Sequence, residues 1–360
     1  MGEHLPRRLH RALLVMTLVV GAAVVAASPL TAAERNSYTV TPLVSDQPGV
    51  AANTDPNLVN AWGLTSSPTS PWWVSDNGTD KSTLYRGSDG APQGGPLVVD
   101  VGGGPTGTVF NPTVGFALPP TAGGGKALFI FDSEDGTISG WNMAQGTNSI
   151  VVADRSSVDA IYKGLAIADT DAGPRLYAAD FHNARVDVFD GSFGLVPGGF
   201  VDPSLPSGYA PFGIQTIGDR VFVTYAKQDA DAKDEIAGQS LGFVDAFSTA
   251  GTLLGRVAQH GQLNAPWGLA LAPSSFGRFA GDLLVGNFGD GQINAYEELP
   301  NGHFAHRGEL RSADGGSLSI DGLWALQFGK AGSNGPAGTL FFTAGPDEEA
   351  HGLFGSITPG

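Results

Sequence analysis

Beyond residue 36, apolar and polar positions alternate in short runs and nowhere recur at helical spacing. Alternation with a period of two marks a half-buried strand, whereas an amphipathic helix needs an apolar residue every third or fourth place. The runs follow a fixed order. A small or polar residue, a glycine and alternating apolar residues appear at Ala61-Trp62-Gly63-Leu64, Pro105-Thr106-Gly107-Thr108 and Tyr162-Lys163-Gly164-Leu165. The phrase returns at Pro211-Phe212-Gly213-Ile214, Pro266-Trp267-Gly268-Leu269 and Asp321-Gly322-Leu323-Trp324. After each copy comes a second apolar run ending in a polar turn, as in Trp72-Trp73-Val74-Ser75-Asp76-Asn77, and then a third run, clearest at 137–141, 185–189, 242–247 and 292–296. The six glycines stand 44, 57, 49, 55 and 54 residues apart. That is the spacing of a four-stranded blade with loops of variable length.

Six such blades predict an all-β, six-bladed β-propeller occupying residues 34–360 as a single domain. The last repeat runs out of chain after its third strand, at 353–357, while residues 38–43 form a strand with no blade of their own. Pairing the two completes the sixth blade from the N-terminus and hides two open sheet edges. The repeat also accounts for 53 Gly in 360 residues, because inner strands crowd an axis and hairpins need positive φ. The most loop-like insertion is 230–239, in the fourth blade.

The first 33 residues read differently. Arg7, Arg8 and Arg11 precede an apolar run of sixteen residues, 12–27, and then Thr31-Ala32-Ala33. This is the pattern of a secretory signal with a small-residue cleavage site, too short for a spanning helix. Cleavage after Ala33 predicts a secreted, extracellular protein without a stable membrane anchor. It also takes the net charge from −16 to −18, a sign that repels nucleic acid and anionic membrane and favours a cation or a neutral small molecule. The chain has no Cys, which excludes disulfides, thiolate metal sites and a Cys nucleophile. No phosphate loop, nucleophile elbow or His-Glu-x-x-His motif occurs. A monomer with a small-molecule or other extracellular ligand is expected.

Chemistry is expected on the face formed by the turns between second and third strands. These turns supply Asp76, Asp132, Glu134, Asp180, His182, Lys227, Asn287, Glu349 and His351. Oxygen donors in such number suit a hard cation such as Ca²⁺, and a mixed His and carboxylate set also suits Zn²⁺, Mn²⁺ or Fe²⁺. The candidate metal set is therefore Glu134, Asp180, His182, Asn287, Glu349 and His351. Asp and Asn also populate hairpins for backbone reasons alone. His182 and His351 are the only histidines beyond the signal that fall in these turns, on opposite blades. Lys227 and Asn287 are candidate ligand contacts, and Trp62, Trp267 and Trp324 beside the inner-strand glycines either line an apolar pocket or pack between blades.

The stretch Leu176-Tyr177-Ala178-Ala179-Asp180-Phe181-His182-Asn183-Ala184-Arg185-Val186-Asp187-Val188-Phe189-Asp190 resembles the repeats of NHL and SMP-30-like propellers. Residues 43–49, 178–189, 225–229 and 285–294 more closely resemble a family of secreted bacterial six-bladed propellers carried as conserved hypothetical proteins. That resemblance implies fold and export but no reaction. By fold analogy with SMP-30-like lactonases, the expected reaction is metal-assisted hydrolysis of a lactone or ester, and their places in the turns make His182, His351 and Asp180 the candidate catalytic groups. The lactonases' Glu, Asn, Asn, Asp set is matched here in residue type only, not in spacing. The alternative is a non-catalytic propeller that binds a sugar, peptide or protein.

Overall fold

The computed structural model describes residues 1–3, 35–92 and 97–360. The expected secretory signal lies outside the described residues, apart from its first three. The rest is an all-β six-bladed propeller, and only single 3-10 turns interrupt the strands. No helix among the described residues is long and apolar enough to cross a membrane.

Blade 1 comprises Ala61–Thr65, Trp72–Asp76, Lys81–Tyr85 and Val99–Asp100, and blades 2 to 5 repeat that inner-to-outer order from Pro105–Phe110 to Phe304–Glu309. Blade 6 carries Leu323–Phe328, Leu340–Ala344 and Leu353–Pro359, and its outer strand is Tyr38–Ser45. The pairing is antiparallel with Val40 opposite Ile357 and Thr41 opposite Ser356, as the two orphan strands predict. The core lies between blades. Each of the six interfaces has its own cluster of buried side chains, for example Trp73, Phe129, Phe131 and Trp141 between blades 1 and 2. The cluster between blades 6 and 1 runs on into the ring's axis.

Every inner strand breaks register at the same place: Ala61 opposite Asp76 is followed by Leu64 opposite Val74, and Leu323 opposite Ala344 by Leu326 opposite Phe342. Such a bulge turns one residue per strand to the axis. It also corrects the sixth repeat. Leu323 stands where Ala61 does, so Trp324 corresponds to Trp62, and Ala325, not Gly322, takes the repeat-glycine position. Gly322 is required for another reason, its φ of +62° in the turn leading to the strand. At the true glycine positions the constraint is proximity: a Cβ on Gly164 would lie 2.8 Å from Phe212 O of the next blade.

One acid near the end of a second strand, Asp132, serves this architecture. Asp132 Oδ1 accepts the bulge N–H of Gly107 at 2.6 Å and lies 3.0 Å from Thr106 Oγ. Thr224 and Thr343 do the same for Gly213 N–H at 2.8 Å and Ala325 N–H at 3.1 Å. Burial pushes the Asp132 carboxyl up to about 7, against the two hydrogen bonds that favour its ionised form.

Candidate functional site

The bulge residues that point along the axis are Trp62, Thr106, Lys163, Phe212, Trp267 and Trp324, one from each blade. Four of them are aromatic and form a plug. Trp62 stacks on Trp324 with ring centroids 3.6 Å apart, and Phe212 and Trp267 meet Trp324 edge-on at 5.7 and 5.9 Å. Phe288 stacks on Trp324 at 4.2 Å. Two of the three indole N–H groups are satisfied from the neighbours, Trp267 Nε1 donating to Lys163 O at 2.9 Å and Trp324 Nε1 to Asn60 Oδ1 at 3.1 Å, while the buried Trp62 Nε1 has no partner. All three sequence-predicted tryptophans therefore meet at the axis, as packing and not as an open pocket.

Lys163 is the one charged member of this ring, and only 1% of its side chain is exposed. An ammonium so enclosed has to be compensated. Its Nζ lies 2.6 Å from Glu134 Oε1, 3.1 Å from Asp234 Oδ1 and 5.1 Å from the Trp62 ring centroid. Glu134 Oε2 accepts from Asn77 Nδ2 at 3.0 Å, Asn77 Oδ1 from Asn60 Nδ2 at 3.2 Å, and Asn60 Nδ2 also reaches Glu349 Oε2 at 2.5 Å. With Lys163 on blade 3 and Asp234 on blade 4, one polar network thus joins five of the six blades over the aromatic plug.

Asp234 comes from the insertion in blade 4. There a short strand, Glu235–Ile236, folds back on Arg220–Gln228 with Gln228 opposite Glu235. Asp229 N–H donates to Asp234 O at 2.9 Å, Lys233 N–H to Asp229 Oδ1 at 2.9 Å, and Gly238 N–H to Asn264 Oδ1 at 2.6 Å. These bonds carry the insertion's acids inward over the axis.

Charge and burial then divide the acids. Burial would lower the Lys163 pKa, but Glu134, Glu235 and Asp234 outweigh it and hold the pKa above the usual lysine value. Burial would likewise raise Glu134, yet Lys163 and Asn77 bring it below the ordinary glutamate range. Glu235 is pushed up to about 8, chiefly by burial and against the pull of Lys163. Burial also raises Glu349, despite its bond from Asn60. Around the one ammonium, Glu134 is therefore held toward its ionised form and Glu235 toward its protonated form.

The side chains of the other sequence-predicted residues make no hydrogen bond to this network. Asp180 is buried, accepts from Ile161 N at 3.3 Å, Asn183 N at 3.2 Å and Asn183 Nδ2 at 2.8 Å, and lies 3.3 Å from Arg185, so it closes its own turn. His351 Nδ1 meets Asp46 Oδ2 at 2.8 Å, and Asp46 Oδ1 accepts Gly352 N–H at 2.9 Å, which fastens the last blade to the N-terminal strand. Asn287 donates to Gln262 O at 2.7 Å and Asp290 Oδ1 at 3.1 Å. Lys227 is exposed at the start of the insertion. The buried Nδ1 of His182 has no partner, and no hydrogen bond, ion pair or ring contact joins His182 to His351. Of the candidate metal set only Glu134 and Glu349 share a network.

Among the described residues no three His, Asp or Glu side chains converge in a way that would hold a metal. The donor chemistry explains it: Glu134 and Asp234, the acids turned to the axis, face an ammonium that already supplies the positive charge. These residues do not fit a divalent metal.

Lys163, Asn60, Asp234 and Glu235 escaped the sequence reading. Lys163 was legible in principle, because aligning the repeats puts one lysine where other blades carry Trp, Phe or Thr. The insertion's acids were not, since nothing local says which way an insertion folds.

No protein-family profile matches the chain. Protein R648 of Acanthamoeba polyphaga mimivirus is 34% identical over 328 residues, which cover 88% of this chain and 78% of that protein. Protein L690 of the same virus is 31% identical, covering 89% of this chain and 86% of that protein. The chain belongs to the family of these mimivirus proteins. Both relatives are described as uncharacterised and both are viral, where the sequence resemblance pointed to bacterial ones. Among solved structures, a streptogramin B lyase covers 90% of this chain and 98% of its own at TM-score 0.54 and 10% identity. A protein of unknown function from Bacteroides thetaiotaomicron reaches TM-score 0.56 at 11% identity, covering 89% of this chain and 76% of that one. The PQQ-bound aldose sugar dehydrogenase of Streptomyces coelicolor reaches 0.53 at 14%, covering 90% and 99%. At these identities the likeness is one of fold.

Proposed function

We propose that the protein is an extracellular ligand-binding propeller whose axial face, around Lys163, takes a small amine-bearing ligand without a metal. The observation that carries this reading is the Lys163 ammonium held by Glu134 and Asp234 over Trp62. The built-in cation compensates only part of the acid around it, since Asp347 and Glu348 stand exposed and Glu349 half-buried near the mouth. Asp234 itself is 56% exposed, and beyond Lys163 it meets only the exposed Lys233 at 4.0 Å, a long contact that an amine from solvent can displace. Export directed by residues 1–33 would place that face outside the cell. Putrescine is the probe. Calorimetric titration at low salt should give saturable binding that weakens as salt rises and falls about tenfold in Asp234→Asn, the loss of one charge-assisted contact. No saturable binding, or equal binding by Asp234→Asn, sinks the reading.

A second reading, hydrolysis of a lactone or ester, is favoured by one feature: an ionised Glu134 and a protonated Glu235 around one ammonium are a base and an acid whose pKa values are driven apart. In that reaction Glu134 takes the proton of the attacking water, Glu235 gives its proton to the leaving oxygen, and Lys163 stabilises the charge on the carbonyl oxygen. Glucono-δ-lactone hydrolysis by chelator-treated protein should fall above about pH 8 and be lost in Glu235→Gln. The same variant has a readout independent of activity. A carboxyl with its pKa raised from about 4.5 to about 8 on folding costs stability progressively as pH rises between those values, because the folded state holds the extra proton. Glu235→Gln should flatten that decline in urea melts. A decline of equal slope in the variant would remove Glu235 from the account.

A further inference from the structure

The aromatic plug divides the axis into two compartments, and the one on the opposite face has its own chemistry. Below Trp267 a neck of about 20 Å³, lined by Gly63, Gly107, Gln215 and Gln327 among others, leads to the far mouth of the ring. There a cavity of about 300 Å³ opens. Its walls are apolar, with Val109, Phe110 and Ile167 coming from the lower ends of the inner strands of blades 2 and 3. Its polar groups are few: Thr65 of blade 1, whose Oγ accepts Phe110 N–H at 3.1 Å, and Gln215, Thr216, Gln327 and Lys330 along blades 4 and 6. The second set concerns the ligand.

Three of these polar groups are not used by the protein. Thr216 Oγ is buried without a hydrogen-bond partner, and the Gln215 and Gln327 amides have no partner among the described residues. Lys330 is the cation of the set. Its Nζ turns in to Ser66 O at 2.5 Å, and no carboxylate lies within 4.0 Å of it among the described residues, in a chain with 35 acids. Lys330 is exposed as a residue, yet partial loss of hydration at the ammonium lowers its pKa. An ammonium has three donors, so the contact to Ser66 leaves it able to bind an anion.

We propose that this cavity is a second ligand site, separate from the Lys163 face, and that it takes an amphipathic carboxylate. The apolar chain lies against Val109, Phe110 and Ile167, while the carboxylate pairs with Lys330 and accepts from the Gln215 and Gln327 amides and Thr216. The volume falls at the lower end of small-molecule pockets, which combine mostly apolar walls with a few fixed polar groups. Pairing Lys330 with a carboxylate removes the penalty of leaving an ammonium partly dehydrated and unpaired.

Octanoate and its uncharged analogue octanamide test the assignment by calorimetric titration of the whole exported chain. Octanoate should bind saturably. Lys330→Gln should weaken octanoate about tenfold or more and octanamide less than about twofold, since only the first loses a charge-assisted bond. Ile167→Trp, which fills the cavity, should abolish both, its folding checked by its thermal melt. Asp234→Asn, on the other face, should leave both unchanged. The proposal is overturned if octanoate does not saturate, if Lys330→Gln binds it like the parent, if a folded Ile167→Trp retains binding, or if Asp234→Asn reduces it.

Discussion

Replacing Lys163 with methionine is expected to cost about 3–5 kcal/mol of stability at pH 7, the price of leaving a buried charge without its partner. Glu134, with 23% of its side chain exposed, would keep the desolvation that Lys163 now offsets and lose the 2.6 Å contact. The loss should depend on pH in a definite way. The Glu134 pKa is lowered on folding, so its contribution is present above the unfolded value near 4.5 and fades as pH falls through the folded value. That of Lys163 is raised, so its contribution is complete below about 10.5 and fades as pH rises through the folded value. The deficit of Lys163→Met should therefore be largest between these limits and shrink toward pH 4, where Glu134 takes up a proton. Lys163→Met with Glu134→Gln should recover much of it, because removing both charges leaves no orphan. Urea melts at pH 7 and 4 measure all three. A loss below about 1 kcal/mol at pH 7, the range of an exposed pair, would show that this ion pair does not hold the axis.

Removing residues 35–45 should be more damaging still. The cut takes away the outer strand of blade 6, and with it the antiparallel ladder to Leu353–Pro359 and the buried Tyr38, Leu43 and Val44. Tyr38 packs on Phe276 and Phe279 and donates to Phe276 O at 3.1 Å, so the loss reaches blade 5. Three such side chains are worth about 1.5–3 kcal/mol each, before the ladder is counted, against a net stability of about 5–15 kcal/mol for a typical protein. The bared edge is also a template for pairing between chains. The truncated protein should be insoluble or lack a cooperative melt. A soluble monomer melting within a few degrees of the parent would mean that the ring closes without this strand.

The axial network shows where local sequence stops being informative. Asn60 precedes an inner strand, Asn77 follows a second strand, Asp234 lies in an insertion and Glu349 in the last turn, yet one lysine organises all four. Neither the spacing of these residues nor their types distinguishes them from Asp180, which closes its own turn, from Asn287, held to Gln262 and Asp290, or from His351, paired with Asp46. The sixth repeat carries the same lesson on a smaller scale: Gly322 imitates the repeat glycine, but register with Leu340–Ala344 gives that place to Ala325.

What the sequence by itself determined was the repeat: six glycine-marked phrases, the alternation within them and an orphan strand at each end suffice for the propeller and its closure, because strand period and edge pairing are local rules applied six times. Only the tertiary structure decided which side chains share the axis. Convergence there depends on one bulge per blade, on the path of the 229–240 insertion, and on the energetic demand that a lysine enclosed among tryptophans find its countercharges wherever the ring brings them.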